Sequence, residues 1–86
     1  MNSPSFERLQ VQLDKLDYPT AFMFKFIAPL AGLIQLRSIF KGHPVRFNPS
    51  RNGNYISITA ELEMQSSREI IAIYEQAAKV EGVILL

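Results

Sequence analysis

Phe47-Asn48-Pro49-Ser50-Arg51-Asn52-Gly53-Asn54-Tyr55-Ile56-Ser57-Ile58-Thr59 reads as two short strands joined by a hairpin. Asn52-Gly53 lies between two alternating runs, and both residue types tolerate the positive φ angles of tight turns. After the turn, Ile56, Ile58, Ala60, Leu62 and Met64 alternate with Tyr55, Ser57, Thr59, Glu61 and Glu63. That period describes a strand with one apolar and one polar face. Before the turn, Val45 and Phe47 alternate with Arg46 and Asn48.

A two-residue turn at Asn52-Gly53 and a four-residue loop over Arg51 to Asn54 give the same facing pairs. These are Ser50 with Tyr55, Pro49 with Ile56, Asn48 with Ser57 and Phe47 with Ile58. The two alternatives differ at Pro49. The shorter turn puts it at a hydrogen-bonded pair, where the missing N–H is a defect. The longer loop puts it at a non-bonded pair on a sheet edge, and is preferred. A three-residue loop with a bulge at Gly53 would mix the faces and ranks lower.

Upstream, Ser3-Pro4 resembles a helix start, with Ser3 as N-cap and Pro4 in the first turn. Phe6, Leu9, Leu13 and Leu16 recur at helical spacing until Asp17-Tyr18-Pro19 ends the run. This amphipathic helix is expected to pack on its own domain, the alternative being a partner chain. Thr20 to Pro29 is a strand with two apolar faces, Phe22, Phe24 and Phe26 alternating with Met23, Lys25 and Ile27. The phenylalanines read as core. Pro29 to Lys41 reads as a helix with Leu30, Leu33, Ile34, Arg37 and Phe40 on one broad face, stopped by Gly42.

Downstream, Ser66-Ser67-Arg68-Glu69 fits a capping box. Ile70, Ile73, Tyr74, Ala77 and Ala78 form the stripe of that helix, and Gly82 closes it. Val83-Ile84-Leu85-Leu86 is a short last strand, apolar on both faces.

The order is a helix followed by βαββαβ. Two βαβ halves joined by a hairpin describe an α+β, ferredoxin-like two-layer sandwich with antiparallel sheet order 4-1-3-2 and an extra N-terminal helix. Residues 1–17 form the amphipathic helix and residues 18–86 the ferredoxin-like domain. Both domain helices should cover Phe22, Phe24, Phe26, Val45, Phe47, Ile58 and Leu62. The opposite face should present Met23, Lys25, Ile27, Arg46, Asn48, Tyr55, Ser57 and Thr59. The N-terminal helix is one candidate cover for it, because Met23 and Ile27 offer apolar area.

Eighty-six residues make one domain. The surface scaling law has such a chain bury about 64% of its unfolded surface, which supports a modest core. Nine basic and eight acidic residues nearly cancel, so no strong field attracts nucleic acid or anionic membrane. The absence of cysteine removes thiolate metal sites and thiol nucleophiles and fits a cytoplasmic protein. No apolar run is long enough to span a membrane, and no signal peptide is seen.

Tyr18-Pro19-Thr20 entering the first strand, and Pro49-Ser50-x-x-Gly53-Asn54-Tyr55-x-Ser57-Ile58-Thr59 at the hairpin, resemble the YbeD-like family of small uncharacterised bacterial proteins. Ile73-Tyr74-Glu75 and the apolar C-terminal strand match as well, so the resemblance covers roughly residues 17 to 86. The N-terminal helix and Val80-Glu81-Gly82-Val83-Ile84 look like the branch common in Bacteroidetes. The resemblance implies a ferredoxin-like fold akin to ACT regulatory domains. The matching family-motif positions are Pro19, Ser50, Gly53, Tyr55 and Ser57, and they carry over a location without a chemistry. ACT domains bind amino acids through a Gly-containing loop after the first strand. Here that loop is Ile27-Ala28-Pro29-Leu30-Ala31-Gly32, with its glycine late and inside the helix.

Catalysis needs a nucleophile, a base and an orienting group. His43, the single histidine, sits beside Pro44 and reads as a solvated turn residue. Glu61 and Glu63 read as a solvated strand end, and Asp14 and Asp17 as surface residues. No cluster has metal-ligand spacing and no Gly-rich phosphate loop is present, so neither catalytic residue, metal nor cofactor is expected. The leading reading is a non-enzymatic regulatory or interaction module, ACT-like, binding a protein partner or small metabolite through Lys25, Asn48, Tyr55, Ser57 and Thr59. One alternative is an RNA-binding domain on the open sheet face, although Tyr55 is its single aromatic and stacking platforms use two or three. The other is an acylphosphatase-like enzyme using Arg46 and Asn48. The apolar last strand at a sheet edge predicts a homodimer.

Overall fold

The computed structural model describes residues 5–86. The elements are α1 (Glu7–Leu13), β1 (Thr20–Pro29), a 3-10 turn (Leu30–Gly32), α2 (Leu33–Ile39), β2 (Arg46–Pro49), β3 (Tyr55–Met64), α3 (Ser67–Ala77) and β4 (Ile84–Leu85). The sheet order is β2-β3-β1-β4, equivalent to 4-1-3-2, so the α+β sandwich with an extra N-terminal helix stands. β1 and β3 pair antiparallel along their whole length, from Thr20 opposite Met64 to Pro29 opposite Tyr55. β2 pairs with β3 from Arg46–Thr59 to Pro49–Ile56, the register expected from the hairpin.

That register sorts the side chains. Phe24, Phe26, Ala28, Ile56, Ile58, Ala60, Leu62 and Met64 are buried on one face, against Leu36, Phe40, Ile70, Tyr74 and Ala77 of the helix layer. The rings interlock: Phe24 lies 5.7 Å from Phe40 and 5.6 Å from Tyr74, and Phe26 lies 6.0 Å from Phe40. Tilted and edge-on pairs at such spacing add to the area term because ring edges are positive and faces negative. Burial pushes the Tyr74 phenol above its ordinary value. A raised phenol contributes stability that is present below pH 10 and lost as pH rises through the folded-state value. Arg37 of α2 stands 5.4 Å over the Phe47 ring and ties α2 to the β2 edge.

Several expectations need correction. The helix start expected at Ser3-Pro4 lies outside the described residues; α1 begins at Glu7, with Phe6 at the N-cap position and no side-chain cap bond there. α1 ends at Leu13, not at Leu16, and Leu16 is exposed. It packs on its own domain but in the helix layer, against α3, and does not cover the open sheet face. Phe6 meets Tyr74 at 5.8 Å, Leu13 is buried, the Ser67 hydroxyl donates to the Asp14 carboxylate, and the Tyr18 hydroxyl donates to the Leu13 carbonyl at 2.8 Å. Phe6, Leu9 and Leu13 join the hydrophobic core on that flank. Desolvation, and then the Asp14 charge, push the Tyr18 phenol up.

The face of α2 is shifted as well. Leu36 and Phe40 are buried with Leu33 beside them, whereas Ile34 is 80% exposed and Leu30 48%. The 3-10 turn advances by about 120° per residue instead of 100°, which breaks the phase assumed from Pro29 onward. Gly82 does not close α3. The helix ends at Ala77, and Gly82, at φ +78, turns the chain into β4. The capping box forms with one change: the Glu69 amide donates to Ser66 Oγ at 3.2 Å, but Glu69 Oε1 accepts from Gln65 N–H at 3.0 Å, not from Ser66.

Candidate functional site

The face away from the helices is laid out in rows by the strand register. One row runs Arg46, Thr59, Lys25, and the Leu86 amide donates to the Lys25 carbonyl at 3.0 Å to extend it. The next runs Asn48, Ser57, Ile27, Ile84, and the one nearest the hairpin holds Tyr55 beside Pro29. Toward the other end lie Glu61 beside Met23 and Glu63 beside Ala21. Lys25, Asn48, Tyr55, Ser57 and Thr59 therefore share one surface, as the alternation predicts. Lys25, Asn48 and Tyr55 are exposed, and Ser57 and Thr59 are half-buried. Ser57 Oγ donates to the Asn48 carbonyl at 3.4 Å, a weak bond that leaves the hydroxyl able to turn to solvent.

Three apolar side chains join them that the polar list omits. Met23 is 52% exposed, Ile84 51% and Leu86 57%. The signal for the last two was the double apolar character of Val83 to Leu86. Phe22, Phe24 and Phe26 all point the other way, so Tyr55 is the aromatic ring of this face among the described residues.

The motif residues at the hairpin build the loop. Ser50 and Tyr55 close the four-residue loop, with Ser50 N–H donating to the Tyr55 carbonyl at 2.8 Å. Pro49 is thereby placed at a non-bonded pair. The Ser50 hydroxyl donates to Asn52 Oδ1 at 2.9 Å and accepts from Tyr55 N–H at 3.1 Å, and Asn52 Oδ1 also accepts from Asn54 N–H at 3.1 Å. Gly53 takes φ +77, a region costly for other residues, whereas Asn52 keeps a negative φ. Pro19 follows a cis peptide bond after Tyr18. Ser50 and Gly53 thus shape the hairpin loop, while Tyr55 and Ser57 stand on the open face.

The loop after β1, where an ACT-like ligand loop is expected, has its glycine for packing. Gly32 has an ordinary φ of −88, and a Cβ there would come within 2.6 Å of Val80 Cγ1. Val80 is buried, so it has little room to give. A cleft of about 400 Å3 opens beside this loop, lined by Pro29, Ala31, Gly32, Gln35, Val80, Glu81 and Gly82, and two further clefts lie elsewhere. One, of about 310 Å3, lies between α2 and α3 over the end of β3 and is lined by Ile39, His43, Leu62, Glu63, Met64, Glu69, Ala72 and Ile73. A second, lined by Pro44, Val45, Arg46, Thr59 and Glu61, opens beside the start of β2. Among the described residues no group of three or more His, Cys, Asp or Glu side chains converges on a point where a metal could sit.

A family model described as "Protein of unknown function (DUF493)" matches residues 14–86. The match begins just past α1 and takes in the whole sheet with α2 and α3. The YbeD-like proteins that the hairpin resembles fall within that family. No curated protein and no solved structure matches the chain. No helix among the described residues is long and apolar enough to cross a membrane.

Ser50→Ala removes the two side-chain bonds that Ser50 makes, leaving the Asn54–Asn52 bond, and should lower stability by about 1 kcal/mol in urea unfolding, with the open face intact. An unchanged midpoint would show that the serine is not a structural element of the loop.

Proposed function

The chain belongs to this family of unknown function, and we propose that it is a non-enzymatic regulatory or interaction module of ACT-like type that binds a protein partner through the open face of its sheet. The observation that supports this is one-sidedness. The helices pack on the other face, while Met23, Ile84, Leu86 and Tyr55 remain about half exposed among hydrogen-bonding side chains. Apolar groups rimmed by polar ones are the usual composition of an interaction surface. The face is a sheet surface whose clefts open at its margins, by Arg46 and Glu61 and by Pro29 and Gly82. Small ligands prefer concave sites that enclose them, so the flatness favours a protein over a metabolite. Lys25 supplies charge, Tyr55 a flat amphipathic ring, and Asn48, Ser57 and Thr59 hydrogen bonds.

RNA binding draws less support, since the face has a single aromatic and the chain a net charge of +1. An acylphosphatase-type reaction would need an anion-binding loop beside Arg46 and Asn48, which here sit two positions apart on a four-residue strand. The same reading has two copies pairing at β4, whose outer edge has no strand beside it among the described residues and whose Ile84 and Leu86 are exposed. A cytoplasmic setting suits a chain without cysteine.

Affinity capture with the wild-type chain and with a Lys25→Glu, Tyr55→Ala variant tests the site. The variant should keep its unfolding midpoint and lose its specific partners at least tenfold; retention of every partner contradicts the reading. Light scattering tests the pairing, with a mass about twice the 9.8 kDa of the chain expected and a monomer at high concentration counting against it.

A further inference from the structure

β2 covers less than half of its neighbour. It pairs with Ile56 to Thr59, but β3 continues to Met64. One step further along, Pro44 would stand opposite Glu61, and proline has no N–H to give a ladder. In antiparallel pairing, alternate residues turn their main-chain groups to the same side. The Ser50–Tyr55 bond of 2.8 Å sets the phase, so Tyr55, Ser57, Thr59, Glu61 and Glu63 all face the β2 side. Beyond Thr59 this leaves the main-chain N–H and C=O of Glu61 and Glu63 on an edge with no strand beside them among the described residues. The next N–H in phase, that of Gln65, is taken by Glu69 Oε1 at 3.0 Å. The gap is thus bounded at one end by Pro44 and at the other by the α3 cap.

The two sides of the gap differ. Glu61 and Glu63 stand exposed on the open face. On the helix side lies the cleft of about 310 Å3, with Ile39, Leu62, Met64 and Ile73 forming its apolar wall. We propose that this edge receives a short extended segment of a partner protein, alternating basic and apolar residues, as an added strand beside Glu61 to Met64. Its basic side chains meet Glu61 and Glu63, and its apolar side chains enter the cleft. A strand opposite four residues spans about 14 Å, so the gap takes a short motif and not a long strand. The chain's own β2 shows the pattern one step away: Val45 and Phe47 turn toward the core while Arg46 stands on the open face. Main-chain bonds would supply affinity, and the side-chain alternation specificity. The site is separate from Lys25 and Tyr55, so it stands or falls apart from the open-face reading.

The probe is a capped ten-residue peptide of alternating lysine and valine, added to the isotopically labelled full chain. Saturating peptide should slow amide exchange at Glu61 and Glu63 at least tenfold. An alternating glutamate–valine peptide should bind at least tenfold more weakly, as should a lysine–valine peptide N-methylated at alternate residues. Glu61→Lys with Glu63→Lys should weaken binding at least tenfold, and the same charge change away from this edge, Glu7→Lys with Glu81→Lys, should leave it unchanged. No binding at millimolar peptide, binding that leaves exchange at Glu61 and Glu63 unaltered, or equal binding of the N-methylated peptide each overturns the proposal.

Discussion

The ten-position pairing of β1 with β3 governs the rest of the molecule. It stacks the apolar positions of both strands on one face, and a sheet with one apolar face must bury it under another layer. α2 and α3 supply that layer, and α1 lengthens it on the flank of α3. Because both central strands keep strict alternation, the other face is left with charged, hydroxyl and amide groups, and with the few apolar side chains that β1 and β4 turn outward. Register therefore determines which side chains the open face presents: a slip by one residue would put Lys25 and Thr59 into the core.

Short flanking strands are the second consequence. β2 has four residues and β4 two, against ten in each central strand. Long unpaired edges invite association. This chain keeps its edges short on one side with Pro44 and Pro49 around β2, and with charged Glu61 and Glu63 on the bare half of β3. At β4 no such guard stands among the described residues, and Ile84 and Leu86 are exposed. The two edges therefore differ in chemistry: the bare half of β3 is charged, and β4 is apolar.

Much of this was legible because local signals agreed with the global pattern. Alternation from Tyr55 to Met64 carried the faces, and Pro49 carried both the loop length and the edge position of β2. The five polar candidates on the open face followed from period alone. Three things were not legible for physical reasons. A 3-10 turn changes the angular step, so Leu30 and Ile34 were assigned inward when they point to solvent. The docking side of α1 depends on where three apolar residues find most area, which no local spacing encodes. The gap on β3 arises from comparing strand lengths across a sheet. Pro44 was its one local sign, and there it read simply as a junction. Gly32 shows the reverse case, a residue suggestive of a ligand loop that is small because Val80 lies against it.

Amide hydrogen exchange along β3 in the free protein is the most direct test of this account. Ile56, Ile58, Ala60, Leu62 and Met64 should be protected by β1, and Ser57 and Thr59 by β2. Glu61 and Glu63 should exchange at least an order of magnitude faster than their neighbours, as unpaired edge amides do. Uniform protection through Glu63 would contradict it, because that edge would then already be paired.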